Sequence, residues 1–125
     1  MISERRKEVT TLNRLSKLQA VLIEEELDAI LVTSPYNLRY VSNFTGTAGL
    51  ALVTQEKAFF ITDFRYTKQA ADQAKGFEVL RHVGPIFKEV ARLVDELKIT
   101  TLGFEDAYVS FRSYDELEAL VASDL

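Results

Sequence analysis

Ala29-Ile30-Leu31-Val32-Thr33-Ser34-Pro35 is the stretch on which the fold turns. The run from Ala29 to Thr33 is apolar and β-branched, with no polar alternation, so it reads as a short strand buried on both faces. Ser34 then supplies a helix N-cap and Pro35 suits the first helical position, where its missing N–H costs nothing. A doubly buried strand that passes directly into a helix is the signature of an α/β domain. Upstream, Leu12, Leu15, Leu18 and Leu22 recur on one helical face that ends near Glu26. Downstream, the short helix after Pro35 carries Tyr36, Leu38, Tyr40 and Val41.

Leu50 to Thr54 and Lys57 to Thr62 form two strands around Gln55-Glu56, a hairpin without the usual Asn-Gly or Asp-Gly turn. Asp63 is placed to cap a helix that continues through Arg65, Tyr66 and Ala70 to Ala74 and is stopped by Gly76. Phe77 to Val83 alternates like a half-exposed strand, and Gly84-Pro85 opens a helix with the stripe Ile86, Val90, Leu93, Val94 and Leu97. Thr100 to Phe104 is the next strand, and Ser113-x-x-Glu116 is a capping box before Leu117, Leu120 and Val121. The sum is a three-layer α/β domain with a mixed, mostly parallel sheet containing one β-hairpin, occupying residues 1–125 as one unit.

Composition narrows the chemistry. Lys and Arg number 15 against 19 Asp and Glu, a net charge of −4, which disfavours nucleic acid because phosphate binding draws on basic residues. No apolar run is long enough for a transmembrane helix, and the charged start Glu4-Arg5-Arg6-Lys7-Glu8 reads as a solvated helix end rather than a signal or a basic patch. The absence of cysteine rules out disulfides and thiol catalysis and fits a cytoplasmic protein. His82 is the single histidine, so a His-rich zinc site within one chain is excluded, and no G-x-S-x-G turn presents a serine.

The carboxylates Asp28, Asp63, Glu105 and Asp106 lie near strand ends, where α/β sheets bind ligands, but each also has an ordinary place as a cap or strand boundary. Phe44-Thr45-Gly46-Thr47-Ala48-Gly49 resembles a phosphate loop only in composition. It follows a helix and precedes a strand, the reverse of the anion-binding context, and reads as a turn needing glycine's permissive φ. His82 is expected on the solvated side of an edge strand. More informative is the interval from Tyr36 to Tyr66, which holds seven aromatics of a total of five Tyr and eight Phe. Phe59 and Phe60 are assigned to the strand core, whereas Tyr36, Asn37, Arg39 and Arg65 have the composition of a recognition or subunit surface.

At these residues the chain resembles a known family. Thr33-Ser34-Pro35-Tyr36-Asn37-Leu38-Arg39-Tyr40-Val41-Ser42-Asn43-Phe44-Thr45-Gly46 is similar to the segment TSP-x-N-x-R-Y-x-[ST]-G-F-x-G of the creatinase/prolidase N-terminal domain. Thr62-Asp63-Phe64-Arg65-Tyr66 with Gln69-Ala70 is similar to that domain's T-D-x-R-Y-x-x-Q-A. The resemblance runs from the Leu12 helix to about Glu118 and departs at Asn43, where the family usually has glycine.

The resemblance implies a ribonuclease-H-like topology and a C-terminal pita-bread catalytic domain that this chain lacks. It implies a parent that is a metal-dependent Xaa-Pro dipeptidase, in which two divalent ions (Mn, Co or Zn) sit in the other domain. In that setting the present chain contributes to dimer assembly and to closing the substrate pocket, and catalyses nothing alone. Its expected partners are the C-terminal catalytic domain, a second copy in a homodimer and, in the parent, a proline-containing peptide. Tyr36, Asn37, Arg39 and Arg65 become substrate-facing or subunit-bridging candidates, an aromatic ring packing on proline and an arginine pairing with the peptide carboxylate. Alternatives are an Xaa-Pro aminopeptidase, a creatinase-like hydrolase, or a stand-alone binding module of the same fold. A ribonuclease-H-like nuclease is disfavoured because the first central strand, Ala29 to Thr33, has no acidic residue.

Overall fold

Helices and strands follow one another in a computed structural model that describes residues 4–46 and 48–104, with side chains from Leu12 onward. The order is α1 (Glu4–Glu24), β1 (Ala29–Val32), α2 (Pro35–Ser42), β2 (Leu50–Thr54), β3 (Ala58–Thr62), α3 (Thr67–Gln73), β4 (Glu78–Arg81), α4 (Ile86–Glu96) and β5 (Leu102–Phe104). The sequence expectation is met element by element through β5. The capping box at Ser113 and the carboxylates Glu105 and Asp106 lie outside the described residues. α1 begins well before Leu12, because its charged first turns consist of good helix formers that hydrophobic periodicity does not register.

The strands form one sheet in the order β4-β3-β2-β1-β5. β2 is antiparallel to both β1 and β3, while β3 pairs β4 and β1 pairs β5 in parallel. Four strands therefore share one direction and only β2 opposes them, which is the mixed, mostly parallel sheet expected. The hairpin turn works without glycine because Thr54 closes it: its Oγ1 accepts from the Lys57 N–H at 2.8 Å, and its own N–H donates to the Lys57 carbonyl at 2.8 Å.

Side-chain alternation sends the sheet's apolar residues to two sides. Leu31, Leu52, Phe59 and Ile61 pack against Val90, Leu93 and Val94 of α4, the crossover from one edge strand to the other. The opposite face carries Val32, Ala51, Phe60 and Val53, covered by α1, α2 and α3 through Leu15, Leu22, Leu38, Val41 and Ala70. Burial on both faces explains the unbroken apolar strands in the sequence, since each such side chain contributes about 1.5–3 kcal/mol.

Caps place the helices. Ser34 takes the N-cap of α2 and accepts from the Asn37 N–H at 3.2 Å, with Pro35 at the first helical position. Asn43 ends the helix in the left-handed region at φ 65, and its N–H donates to the Arg39 carbonyl. One expectation is corrected. Asp63 does not cap α3, which begins at Thr67 after Tyr66 without a side-chain cap; the carboxylate instead closes the preceding turn by accepting from the Arg65 N–H at 2.9 Å. The segment before β2 has the permissive backbone expected of it at Gly49, φ 156, whereas Gly46 answers to space, since a Cβ there would run into the rings of Phe44 and Tyr66. Val83, an apolar member of the alternating run, is 89% exposed because β4 has already ended at Arg81.

Position 43 gives a direct test of the helix end. Asn43→Gly is expected to leave the urea midpoint close to that of the parent sequence, and Asn43→Ala to cost about 1 kcal/mol from the left-handed backbone. Equal midpoints for the two variants would remove the conformational account.

Candidate functional site

The shared direction of β1, β3, β4 and β5 gathers their carboxyl ends along one edge of the sheet. This is the edge at which open α/β sheets receive ligands. Ser34 and Pro35 follow β1 there, Asp63, Phe64 and Arg65 follow β3, and His82 follows β4.

On α2 the candidates separate by helical geometry. Tyr36, Arg39 and Tyr40 are exposed together, spaced three and four residues apart, with Tyr36 at 76% exposure. Asn37 is half-buried and turns toward α1, where with Tyr40 and Val41 it lines a groove. Tyr40 is itself held by Arg14 of α1, whose guanidinium lies 4.1 Å from the ring centroid and donates to the Tyr40 carbonyl at 3.2 Å.

Arg65 stands on the turn after β3, separated from α2 by the width of β2. Its Nε and Nη2 meet both oxygens of Asp63, the shortest contact being 2.7 Å. The Arg65 side-chain hydrogen bonds hold the Asp63 carboxyl below its ordinary range, aided by the Arg65 N–H and by the Arg65 and His82 charges. Asp63 in turn raises Arg65. The fork is thus charged and oriented, and part of the Arg65 guanidinium remains accessible, its side chain being 60% exposed.

Phe64, between these two residues, is 68% exposed just past the strand end, its ring centroid 5.8 Å from the Arg81 guanidinium carbon, and no role is read for it from the sequence. The signal that could have found it is its place in a turn flanked by an Asp–Arg pair one residue beyond the last strand position. Arg14 and the pair Gln69 and Gln73 were also missed. Gln73 Oε1 accepts from the Thr45 N–H at 3.0 Å, and Gln69 and Gln73 both donate to Thr45 Oγ1 at 3.1 Å, so α3 clasps the loop after α2. His82 is half-buried, with Nδ1 2.8 Å from the Gly84 carbonyl oxygen, and its N–H extends the β4 ladder to the Thr62 carbonyl.

Asp28 belongs to the opposite edge. Its Oδ2 accepts from the Thr100 N–H and hydroxyl, both at 2.8 Å, and from the Thr101 N–H at 3.3 Å, which pins the start of β1 to the segment leading into β5. Asp28 and Asp63 precede and follow strands of the same direction, so they cannot converge on one ion. Among the described residues no three His, Asp or Glu side chains are grouped to hold a metal.

Comparison with known proteins adds scale to this geometry. The family model of the Creatinase/Prolidase N-terminal domain matches residues 14–124. An uncharacterized peptidase, YqhT, of Bacillus subtilis (strain 168) is 41% identical over 109 residues, covering 87% of this chain and 31% of its own length. The solved Xaa-Pro dipeptidase from Bacillus anthracis superposes with a TM-score of 0.85 at 41% identity, over 90% of this chain and 32% of that one. The N-terminal domain of cytoplasmic peptidase PepQ from Mycobacterium tuberculosis H37Rv superposes with a TM-score of 0.81 at 34% identity, over 89% of this chain and 86% of that one. The chain thus spans about a third of the length of the full peptidases it matches.

Asp28 makes the acid response of the fold predictable. The backbone and hydroxyl hydrogen bonds from Thr100, then those from Thr101, lower its folded carboxyl below the ordinary value of 3.8, against a smaller opposing effect of burial. The unfolded chain then binds more protons in the acid range, so this contribution is complete above the ordinary value and is lost as pH falls through the lower folded value. Asp28→Asn is expected to lower the urea midpoint at pH 7, with the difference from the parent sequence shrinking toward pH 3. A difference independent of pH would show that charge is not what Asp28 supplies.

Proposed function

Because this chain belongs to the creatinase/prolidase N-terminal domain family, we propose that it is the non-catalytic N-terminal domain of a longer, metal-dependent Xaa-Pro dipeptidase. The observation that carries the proposal is the mismatch of lengths: nearly all of this chain aligns with less than a third of the Bacillus subtilis peptidase. The hydrolytic machinery then resides in the remaining two-thirds, in a pita-bread domain that supplies the two divalent ions and the activated water.

In this reading the domain acts by shape and charge. It assembles with its own C-terminal domain and with a second copy, and presents the carboxyl edge of its sheet to a substrate pocket. Arg65, oriented by Asp63 and flanked by exposed Phe64, offers a cation for a peptide carboxylate beside an apolar ring for proline. Tyr36 and Arg39 extend the same kind of surface along α2. Asn37, turned toward α1, is the weakest of the four candidates for substrate contact. A cytoplasmic parent is the location proposed, supported by the Mycobacterium tuberculosis neighbour that is described as a cytoplasmic peptidase. An Xaa-Pro aminopeptidase parent is the second reading, supported by the many relatives described as Xaa-Pro aminopeptidases.

Residues 1–125 incubated with an Xaa-Pro dipeptide and Mn²⁺ are expected to release no amino acid above a buffer blank, while the full-length parent turns the dipeptide over. Turnover by the fragment itself would defeat the assignment. In the parent, Arg65→Ala is expected to reduce kcat/KM by about tenfold or more, the scale of one lost charge-assisted hydrogen bond. Arg39→Ala is the parallel experiment, and an unchanged kcat/KM in either variant takes that arginine out of the pocket.

A further inference from the structure

Away from the carboxyl edge, the face of β1 between α1 and α2 is left partly open. There a groove of about 310 Å³ has a floor of Ile30 and Val32 and walls of Leu18, Val21 and Val41. Val21 is 47% exposed although it belongs to this apolar surface. The floor continues onto β5 without a rising side chain, because Gly103 stands beside Ile30; a Cβ there would lie 3.6 Å from Ile30 Cγ1 and 3.3 Å from Leu27 Cδ1. A glycine inside a strand marks a place where another element comes close to the backbone.

The rim is one-sided in charge. Arg14 and Lys17 both border the groove, and among the described residues no acidic side chain lines it, in a chain whose net charge is −4. Arg14 is fixed in place by Tyr40, through the ring and the carbonyl, rather than neutralised by a carboxylate. Its charge is therefore presented to whatever occupies the groove. The shape, a trough between two helices with side chains as its floor, suits an amphipathic helix and not an added strand, which would need a free backbone edge.

We propose that this groove receives an amphipathic helix with an apolar stripe and acidic flanks, supplied by the part of the parent polypeptide outside residues 1–125. This rests on the assignment of the chain as the N-terminal domain of a longer peptidase, in which about two-thirds of the length remains to be placed. The apolar stripe covers Val21 and Ile30, and the acidic flank meets Arg14 and Lys17. Closure of the groove would join the two domains by a contact separate from the Arg65 edge.

The chain contains no cysteine, so one introduced thiol within it reports on one position. Val21→Cys is placed in residues 1–125 and in the full-length parent, and maleimide labelling of that peptide is followed by mass spectrometry. The labelling rate in the parent is expected to be lower than in the isolated chain by about tenfold or more. Ile23→Cys, at a position 58% exposed on another side of α1, is expected to label alike in both. The protection of Val21→Cys should fall in 0.5 M salt and in the Arg14→Glu/Lys17→Glu background.

Equal labelling of Val21→Cys in the two proteins overturns the proposal, even if the parent is an active peptidase. So does equal protection of Ile23→Cys, which would indicate general shielding. Protection indifferent to salt and charge reversal rejects the acidic helix, and protection in residues 1–125 alone that grows with concentration assigns the groove to a second copy. Loss of peptidase activity with intact, salt-sensitive protection would instead count against the catalytic assignment and leave the docking contact standing.

Discussion

The packing of the Phe60 ring is the contact on which the upper half of the domain depends. Phe60 is fully buried in β3, with the Phe44 ring centroid 4.6 Å away and the Phe77 centroid 6.4 Å away. Phe44 in turn meets Tyr66 edge-on at 5.8 Å. Through these rings one core residue determines where the loop after α2 returns to the sheet, where the chain leaves β3 for α3, and where it enters β4. Edge-to-face aromatic pairs reward a specific geometry in addition to burial, so the loop positions follow from the ring positions. The room is tight enough that Gly46 and Gly49 have no space for a side chain against Phe44 and Phe60.

That packing is complemented at each end of the sheet by an aspartate with local duties. Asp63 satisfies a turn and orients Arg65, and Asp28 binds the approach to β5 to the approach to β1. Both carboxylates are used by their own hydrogen bonds, and the sheet holds them apart. Cation and ring recur together on the surface, with Arg65 beside exposed Phe64, Arg81 over Phe64 and Arg14 over Tyr40.

Much of this was legible from residues alone. The apolar run at Ala29 to Val32, the Ser34-Pro35 cap and the breaks at Gly76 and Gly84-Pro85 located the elements, because burial on two faces and helix capping leave local marks. Asn43 read only as a departure from the family's glycine, and the structure keeps the left-handed backbone there, φ 65, which asparagine tolerates. What local marks could not convey was which way a residue just past a strand end points. Phe64 follows an entirely buried strand, and the Asp63 turn leaves it exposed. The clasp of Thr45 by Gln69 and Gln73 was equally hidden, since the partners are 24 and 28 positions apart and carry no charge to betray the pairing.

Sequence by itself determined the α/β class, the succession of elements and the family, because hydrophobic period, caps and short motifs are written in neighbouring residues. Only the tertiary structure decided the strand order β4-β3-β2-β1-β5, that Tyr36 and Arg65 stand along one edge with β2 between them, and that α1 and α2 leave a basic-rimmed groove over β1. Those outcomes depend on contacts between segments far apart in the chain, where the free energy of packing, and not any local preference, selects the arrangement.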